Sequence, residues 1–149
     1  KVIKMIKVNF IKLNEKAHTP TYGSEFAAGA DLYSAEEEIT IEAGETRLVH
    51  TGIAMQIPDG NAGFIFARSG IATKRGLAPA NKVGVIDSDY RGEIMVALYN
   101  HSDSVQQIAG GERVAQMVIM PYITADFTEC ETLDDTTRGE GGFGSTGTK

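Results

Sequence analysis

The chain has 149 residues, 42% hydrophobic and 23% charged, which suits one domain with a sizeable core. Its net charge of -6 argues against duplex nucleic acid as the main partner, because such binding needs a basic face. A single cysteine, Cys130, excludes an intramolecular disulfide framework, no Cys/His spacing resembles a zinc site, and no run approaches the ~20 apolar residues of a membrane-spanning helix.

Lysines interrupt every apolar run between Lys1 and Lys7, so no signal-peptide core forms there, and Met5 is a candidate start with four residues before it. With one cysteine, the expected compartment is reducing: the cytoplasm, or the nucleus or host cytosol for a eukaryotic or viral source. Ile6 to Leu13 alternates loosely as a strand. Ile39-Thr40-Ile41 precedes a turn at Glu42 to Glu45. Strands from Arg47 to His50 and from Ile53 to Ile57 follow, closed by the turn sequence Pro58-Asp59-Gly60. Phe64 to Ala67 is a buried type of run. Ser69 is expected to cap a short helix through Ile71, Ala72 and Lys74, with Gly76 ending it. Glu93 to Tyr99 is the clearest strand, with Ile94, Val96 and Leu98 on one face and Met95, Ala97 and Tyr99 on the other. Both faces are largely apolar, so this strand is expected to be covered on both sides, between sheets or at a subunit contact. Gly110-Gly111-Glu112 turns into a last strand run from Val114 to Tyr122. Seventeen glycines, many β-branched residues and no tryptophan agree with an all-β sandwich, jelly roll or barrel carrying one short helix.

Four internal segments and the C-terminal tail hold residue types suited to chemistry. In Ala28-Gly29-Ala30-Asp31-Leu32-Tyr33-Ser34-Ala35, Asp31 starts a strand and either caps a turn or holds a hydrated magnesium ion. Arg68-Ser69-Gly70 opens the helix, where free N–H groups favour phosphate; an ordinary cap beside a surface arginine explains the same residues. In the stretch Asn81 to Gly92, an apolar strand enters the acidic turn Asp87-Ser88-Asp89. This reads either as a plain β-hairpin or as a half-buried Asp87 placed to deprotonate a water, with Tyr90 as a flat wall. In Gly111-Glu112-Arg113-Val114-Ala115-Gln116-Met117, Gln116 lies in an apolar strand and needs a hydrogen-bond partner, from backbone or phosphate. The tail, Arg138-Gly139-Glu140-Gly141-Gly142-Phe143-Gly144-Ser145-Thr146-Gly147, is too polar and glycine-rich to pack a core. It is either a frayed end or a nucleotide lid: Arg138 offers a fork for phosphate, Ser145 and Thr146 offer hydroxyls, and Phe143 a stacking face.

Taken together, in this order, the five segments resemble the homotrimeric dUTPases, nucleotidohydrolases of deoxyuridine triphosphate. The resemblance runs from about Lys7 to Thr148; Gly84 to Gly92 and Glu140 to Gly147 are its most specific parts. Ala67 departs from the proline frequent in the family, which alters backbone stiffness and not ligand chemistry. The resemblance implies a distorted jelly roll that trimerises, with a single β domain over residues 1–137 and a lid arm over 138–149 that closes on a neighbouring subunit. It implies hydrolysis of dUTP to dUMP and pyrophosphate with Mg²⁺, limiting uracil in DNA and supplying dUMP for dTMP synthesis. By the same resemblance Asp87 activates the attacking water, and Asp31 holds the hydrated Mg²⁺ through water. Ser69, Gly70 and Gln116 take the α- and β-phosphates, Arg68 and Arg138 the β- and γ-phosphates. Gly144, Ser145 and Thr146 belong to the tail's γ-phosphate cradle. The segment from Asn81 to Met95 would be a hairpin whose backbone at Gly84, Val85 and Ile86 reads uracil, with Tyr90 under the deoxyribose and Phe143 stacked on the base.

Three rival readings make different demands. A deoxycytidine triphosphate deaminase shares the fold but needs another acid/base set near the base. A binding or regulatory module would be expected to lose Asp87 or the tail, and both are present. A structural β-sandwich leaves the five segments unexplained. His18, His50 and His101 are read as surface or strand residues, and Cys130 as inert.

Overall fold

The computed structural model describes residues 5–142. Within them lie twelve strands and one helix: β1 (Asn9–Lys12), β2 (Thr21–Tyr22), β3 (Ala30–Tyr33), β4 (Glu38–Ile41), β5 (Thr46–His50), β6 (Ile53–Gln56), β7 (Asn61–Phe66), α1 (Ser69–Arg75), β8 (Leu77–Pro79), β9 (Gly84–Ile86), β10 (Met95–Asn100), β11 (Gln106–Ala109) and β12 (Arg113–Pro121). They form four antiparallel sheets with strand orders β1-β6, β5-β10-β8, β11-β4 and β2-β3-β12-β7-β9. The architecture is the expected all-β one with a single short helix. No helix among the described residues is long and apolar enough to cross a membrane.

The core follows the two-residue period of strands. Ile39 and Ile41 of β4 are buried while Glu38 and Thr40 are exposed. Val96 and Leu98 of β10 are buried with Ile94 just ahead, whereas Met95, Ala97 and Tyr99 stay partly open. One face of the doubly apolar strand is therefore fully covered within a single chain, and the other is not. Ile41, Val49, Leu77, Leu98, Ile108 and Val114 lose all contact with solvent, each such side chain contributing about 1.5–3 kcal/mol relative to exposure.

Three expectations change. The loose alternation from Ile6 yields only a four-residue strand, every residue of it exposed. The segment from Asn81 to Met95 is not a β-hairpin: β9 pairs with β7, while β10 pairs with β5 and β8. The acidic turn thus carries the chain between two sheets, held by Tyr90 N–H donating to Asp87 O at 3.2 Å. Ser69 does not cap α1. It is the first helical residue, and Arg68 holds the cap position in extended backbone with no side-chain bond to the helix. Gly76 does end the helix as expected, in the left-handed region at φ 67°.

The longest strand, β12, runs through the centre of the five-stranded sheet and breaks register between Arg113 and Ala115 against β3. This is a β-bulge at Val114, and its extra residue reverses the alternation ahead of it. Arg113 and Gln116, three apart, would face opposite ways in a regular strand. The bulge lets both reach one side.

After β12 the chain makes no further strand or helix up to residue 142, and residues 121–140 are exposed throughout, Ile123, Phe127 and Leu133 among them.

Candidate active site

The residues singled out in the sequence gather in two separate concavities that share no lining residue. The first, of about 200 Å³, is lined by Asp31, Arg68, Ser69, Gly70, Arg113 and Gln116 beside the Gly23–Gly29 segment. The second, of about 270 Å³, is lined by Asn81, Val85, Ile86, Asp87, Tyr90 and Met95, together with Leu48, Glu93 and Ala97. Both lie below the roughly 300–1,000 Å³ usual for a small-ligand site.

In the first concavity three elements converge. Asp31 on β3 stands opposite Gln116 on β12, and Gln116 stands opposite Phe66 of β7, just before Arg68. Asp31 caps no turn. It is buried, and its two carboxylate oxygens accept from two guanidiniums: Oδ1 from Arg68 Nε at 2.7 Å and Oδ2 from Arg113 Nη1 at 3.2 Å. Gln116 finds its partner in the backbone, Nε2 donating to Ala67 O at 2.8 Å, which pins the loop leading to Arg68. Gly29 is required here by close approach: a Cβ on it would sit 2.5 Å from Gln116 Oε1. At the far end of α1, Arg75 donates through Nε to Gln106 Oε1 at 3.1 Å and also bonds the Glu112 carboxylate and Gln107 O. The helix that opens with Ser69 and Gly70 is thereby tied to the turn that opens β12.

Two guanidiniums against one carboxylate leave a net positive site, suited to an anion with several oxygens. No cluster of three or more His, Cys, Asp or Glu side chains placed to hold a metal occurs among the described residues. A lone carboxylate does suit Mg²⁺, which keeps waters and shares its binding with substrate phosphates. Asp31 uses two of about four lone-pair positions on its arginines, and the others remain for water.

The second concavity has a different chemistry. Leu48, Val85, Ile86, Met95 and Ala97 give it apolar walls, and Tyr90 adds a ring. β9 is the edge strand of its sheet, so among the described residues its outer backbone groups have no ladder partner and can read a polar edge. Gly84 is buried against Ile65. Asp87 lies one residue past β9 and is exposed, where a half-buried position was expected. Close by, the Glu93 carboxylate takes a bond from His50 Nδ1 at 2.9 Å and holds that imidazole's pKa above its ordinary value.

Arg138 reaches neither concavity; its Nε donates to Gly141 O at 2.8 Å. Phe143, Gly144, Ser145 and Thr146 lie outside the described residues. Seven lining residues were not assigned from sequence: Gly23, Ala27, Gly29 and Arg113 in the first concavity, and Leu48, Glu93 and Ala97 in the second. Arg113 was visible within its segment, but strict alternation turns it away from Gln116. Leu48 shows no chemical signal beyond being an apolar residue on an outward face.

A dUTPase family model matches residues 15–147. The deoxyuridine 5'-triphosphate nucleotidohydrolase of Desulfitobacterium hafniense is 46% identical over 144 residues, covering 95% of both chains. That of Candida albicans is 50% identical over 134 residues, covering 89% of this chain and 82% of the other. Among solved structures, the dUTPase of Staphylococcus bacteriophage 80alpha with dUpNHpp superposes with a TM-score of 0.88 at 28% identity, covering 96% of this chain and 99% of that one. A variant dUTPase of phage phi11 of S. aureus, described with a structural Mg(II) ion, gives 0.79 at 25% identity over 87% of this chain and all of the other. The fold, the two groups of residues and these likenesses agree that the chain belongs to the dUTPase family.

Proposed function

We propose that the chain is a dUTP diphosphatase, releasing dUMP and pyrophosphate at sites shared between the subunits of a homotrimer. The observation that carries the reading is the division of the site: a cationic half and an apolar half occupy separate concavities of one chain, each too small alone. Halves from neighbouring copies make one nucleotide site. On this reading Arg68, Ser69, Gly70 and Gln116 come from one copy and the stretch from Asn81 to Met95 from a second. The arm of residues 138–149, with Arg138, Phe143, Gly144, Ser145 and Thr146, closes from a third over the β domain of residues 1–137.

Arg68 and Arg113 would exchange their hold on Asp31 for phosphate oxygens, keeping charge-assisted bonds throughout. Asp87 would orient a water in line with the α-phosphorus and accept its proton as the bond to pyrophosphate breaks. A contact with the neighbouring copy would supply the burial that Asp87 lacks here. Mg²⁺, held through water by Asp31, would neutralise charge on the triphosphate. The free edge of β9 would pair with uracil, and cytosine, with donor and acceptor reversed, would leave buried groups unpaired. Tyr90 would lie beneath the deoxyribose.

The test is pyrophosphate release from dUTP, dTTP, dCTP and UTP, each with Mg²⁺. Rapid release from dUTP alone is expected. Ammonia from dCTP would move the assignment to the deaminase relatives, and binding of dUTP without turnover would leave a nucleotide-sensing module.

A further inference from the structure

Tyr90, the wall of the second concavity, is not held by its own packing. Its ring folds back over Gly92, where a Cβ would lie 2.6 Å from the ring carbon Cζ, so only glycine admits this pose. Its hydroxyl donates to Glu93 O at 2.9 Å. Glu93 is in turn fixed by its side chain. Oε1 accepts from Gly52 N–H at 2.8 Å, and Oε2 bonds His50 Nδ1 at 2.9 Å. His50 is the exposed last residue of β5, and Gly52 lies in the buried turn between β5 and β6. Thr51 is shielded from solvent and its hydroxyl donates to Ile94 O at 2.5 Å, while Ile94 N–H donates to Ile53 O at 2.8 Å. Gly52 adopts φ 65° with Ala17 packed where a Cβ would go. The ring is thus tied, through one residue, to a turn in the middle of the fold. The Asp87 carboxylate takes no part in these bonds.

We infer that Glu93 is a positioning residue for sugar selection: by anchoring the Tyr90 ring to the Thr51–Gly52 turn, it sets the depth of the wall that meets the nucleotide's 2′ position. The inference rests on the dUTP reading. A ring held at fixed depth excludes a 2′-hydroxyl, and a ring free to retreat admits one. The bonds concerned lie away from the phosphate-binding concavity, so their loss acts on the sugar and not on phosphate binding.

The experiment compares kcat/KM for dUTP and UTP in wild type, Glu93→Ala, Glu93→Gln and Tyr90→Phe. Glu93→Ala is expected to lower the dUTP/UTP ratio about tenfold, mainly by raising kcat/KM for UTP. Glu93→Gln keeps an acceptor for Gly52 N–H and is expected to restore most of the ratio. Tyr90→Phe removes only the hydroxyl's bond to Glu93 O, and a chain carrying both Tyr90→Phe and Glu93→Ala should be no less selective than Glu93→Ala alone, since both act on one tether. A merely structural role would lower both substrates equally and leave the ratio unmoved; that result overturns the inference. If Glu93→Ala fails to fold, Tyr90→Phe carries the same test. A wild type that turns over no dUTP overturns the functional reading and this inference with it, whereas an active wild type with an unchanged ratio in every variant overturns this inference alone.

Discussion

Replacing Asp31 by Asn tests the phosphate half of the site on two independent readouts. Asp31 is the single anion facing two guanidiniums, with 10% of its side chain exposed against 23% for Arg68 and 51% for Arg113. The Arg68 contact at 2.7 Å is short and shielded, and a hydrogen bond to a charged group of this kind contributes about 1.5–3 kcal/mol. The Arg113 contact is longer and half open to water, so its share is at most about 1 kcal/mol. Asparagine keeps one acceptor oxygen, which places the net loss near about 2 kcal/mol. For a chain of this size about 1 kcal/mol moves Tm by roughly 2–4 °C, so Tm should fall by roughly 4–8 °C. The same change should abolish the stimulation of dUTP turnover by Mg²⁺, because the carboxylate that would hold the ion's waters is gone. The assays are thermal unfolding of the ligand-free protein and an Mg²⁺ titration of turnover. A Tm within about 1 °C of wild type would refute the energetic argument. An unchanged Mg²⁺ response would refute the role given to Asp31.

Asp87→Asn should lower kcat by about 10²–10⁴-fold while dUTP binding stays near wild type, measured by single-turnover kinetics and calorimetry; weak binding with normal turnover of bound nucleotide would remove Asp87 from the chemistry. Ending the chain before Arg138 should cut turnover severely and leave Tm unchanged, since among the described residues Arg138 bonds only within its own segment and residues 122–142 add no strand; full activity in the shortened chain would dismiss the lid. His50 carries a raised pKa, chiefly from its bond to Glu93 and further from the charges of Glu93 and Glu36, with burial opposing. A raised value stabilises the fold fully below the unfolded imidazole pKa of about 6.5 and is lost as pH climbs through the folded one. Wild type should therefore melt above His50→Gln at pH ~5.5 and approach it by pH ~8.5; a constant gap across that range would show that the pair does not titrate.

The elements with strict alternation were legible from sequence. β4 and β10 lie where alternation predicted them, because a sheet buried on one side leaves a two-residue imprint, and β5, β6 and β12 fall within one residue of their expected bounds. Gly76 likewise announced the end of α1. Two of the misreadings share one cause: each depended on partners far away in the chain. The acidic turn after β9 looked like a hairpin because its flanks are both strands, but β9 joins β7 and β10 joins β5 and β8. Asp31 was weighed as a turn residue, when two distant arginines claim its carboxylate. Ser69 was placed as a cap from its type alone. The residues that line the two concavities were mostly named in advance, yet nothing in a linear reading separates them into two groups within one chain.

The bulge at Val114 gives β12 one residue more than the phosphate half of the site needs. An apolar replacement at Val114 alters packing and leaves the aim of Arg113 intact. Deleting that one residue restores regular alternation, leaves Arg113 and Gln116 two apart on the same side of the sheet, and takes a fully buried side chain out of the core. Val114 is thus an addition to the core that the binding chemistry tolerates: its loss is expected to show in stability before it shows in the aim of the arginine.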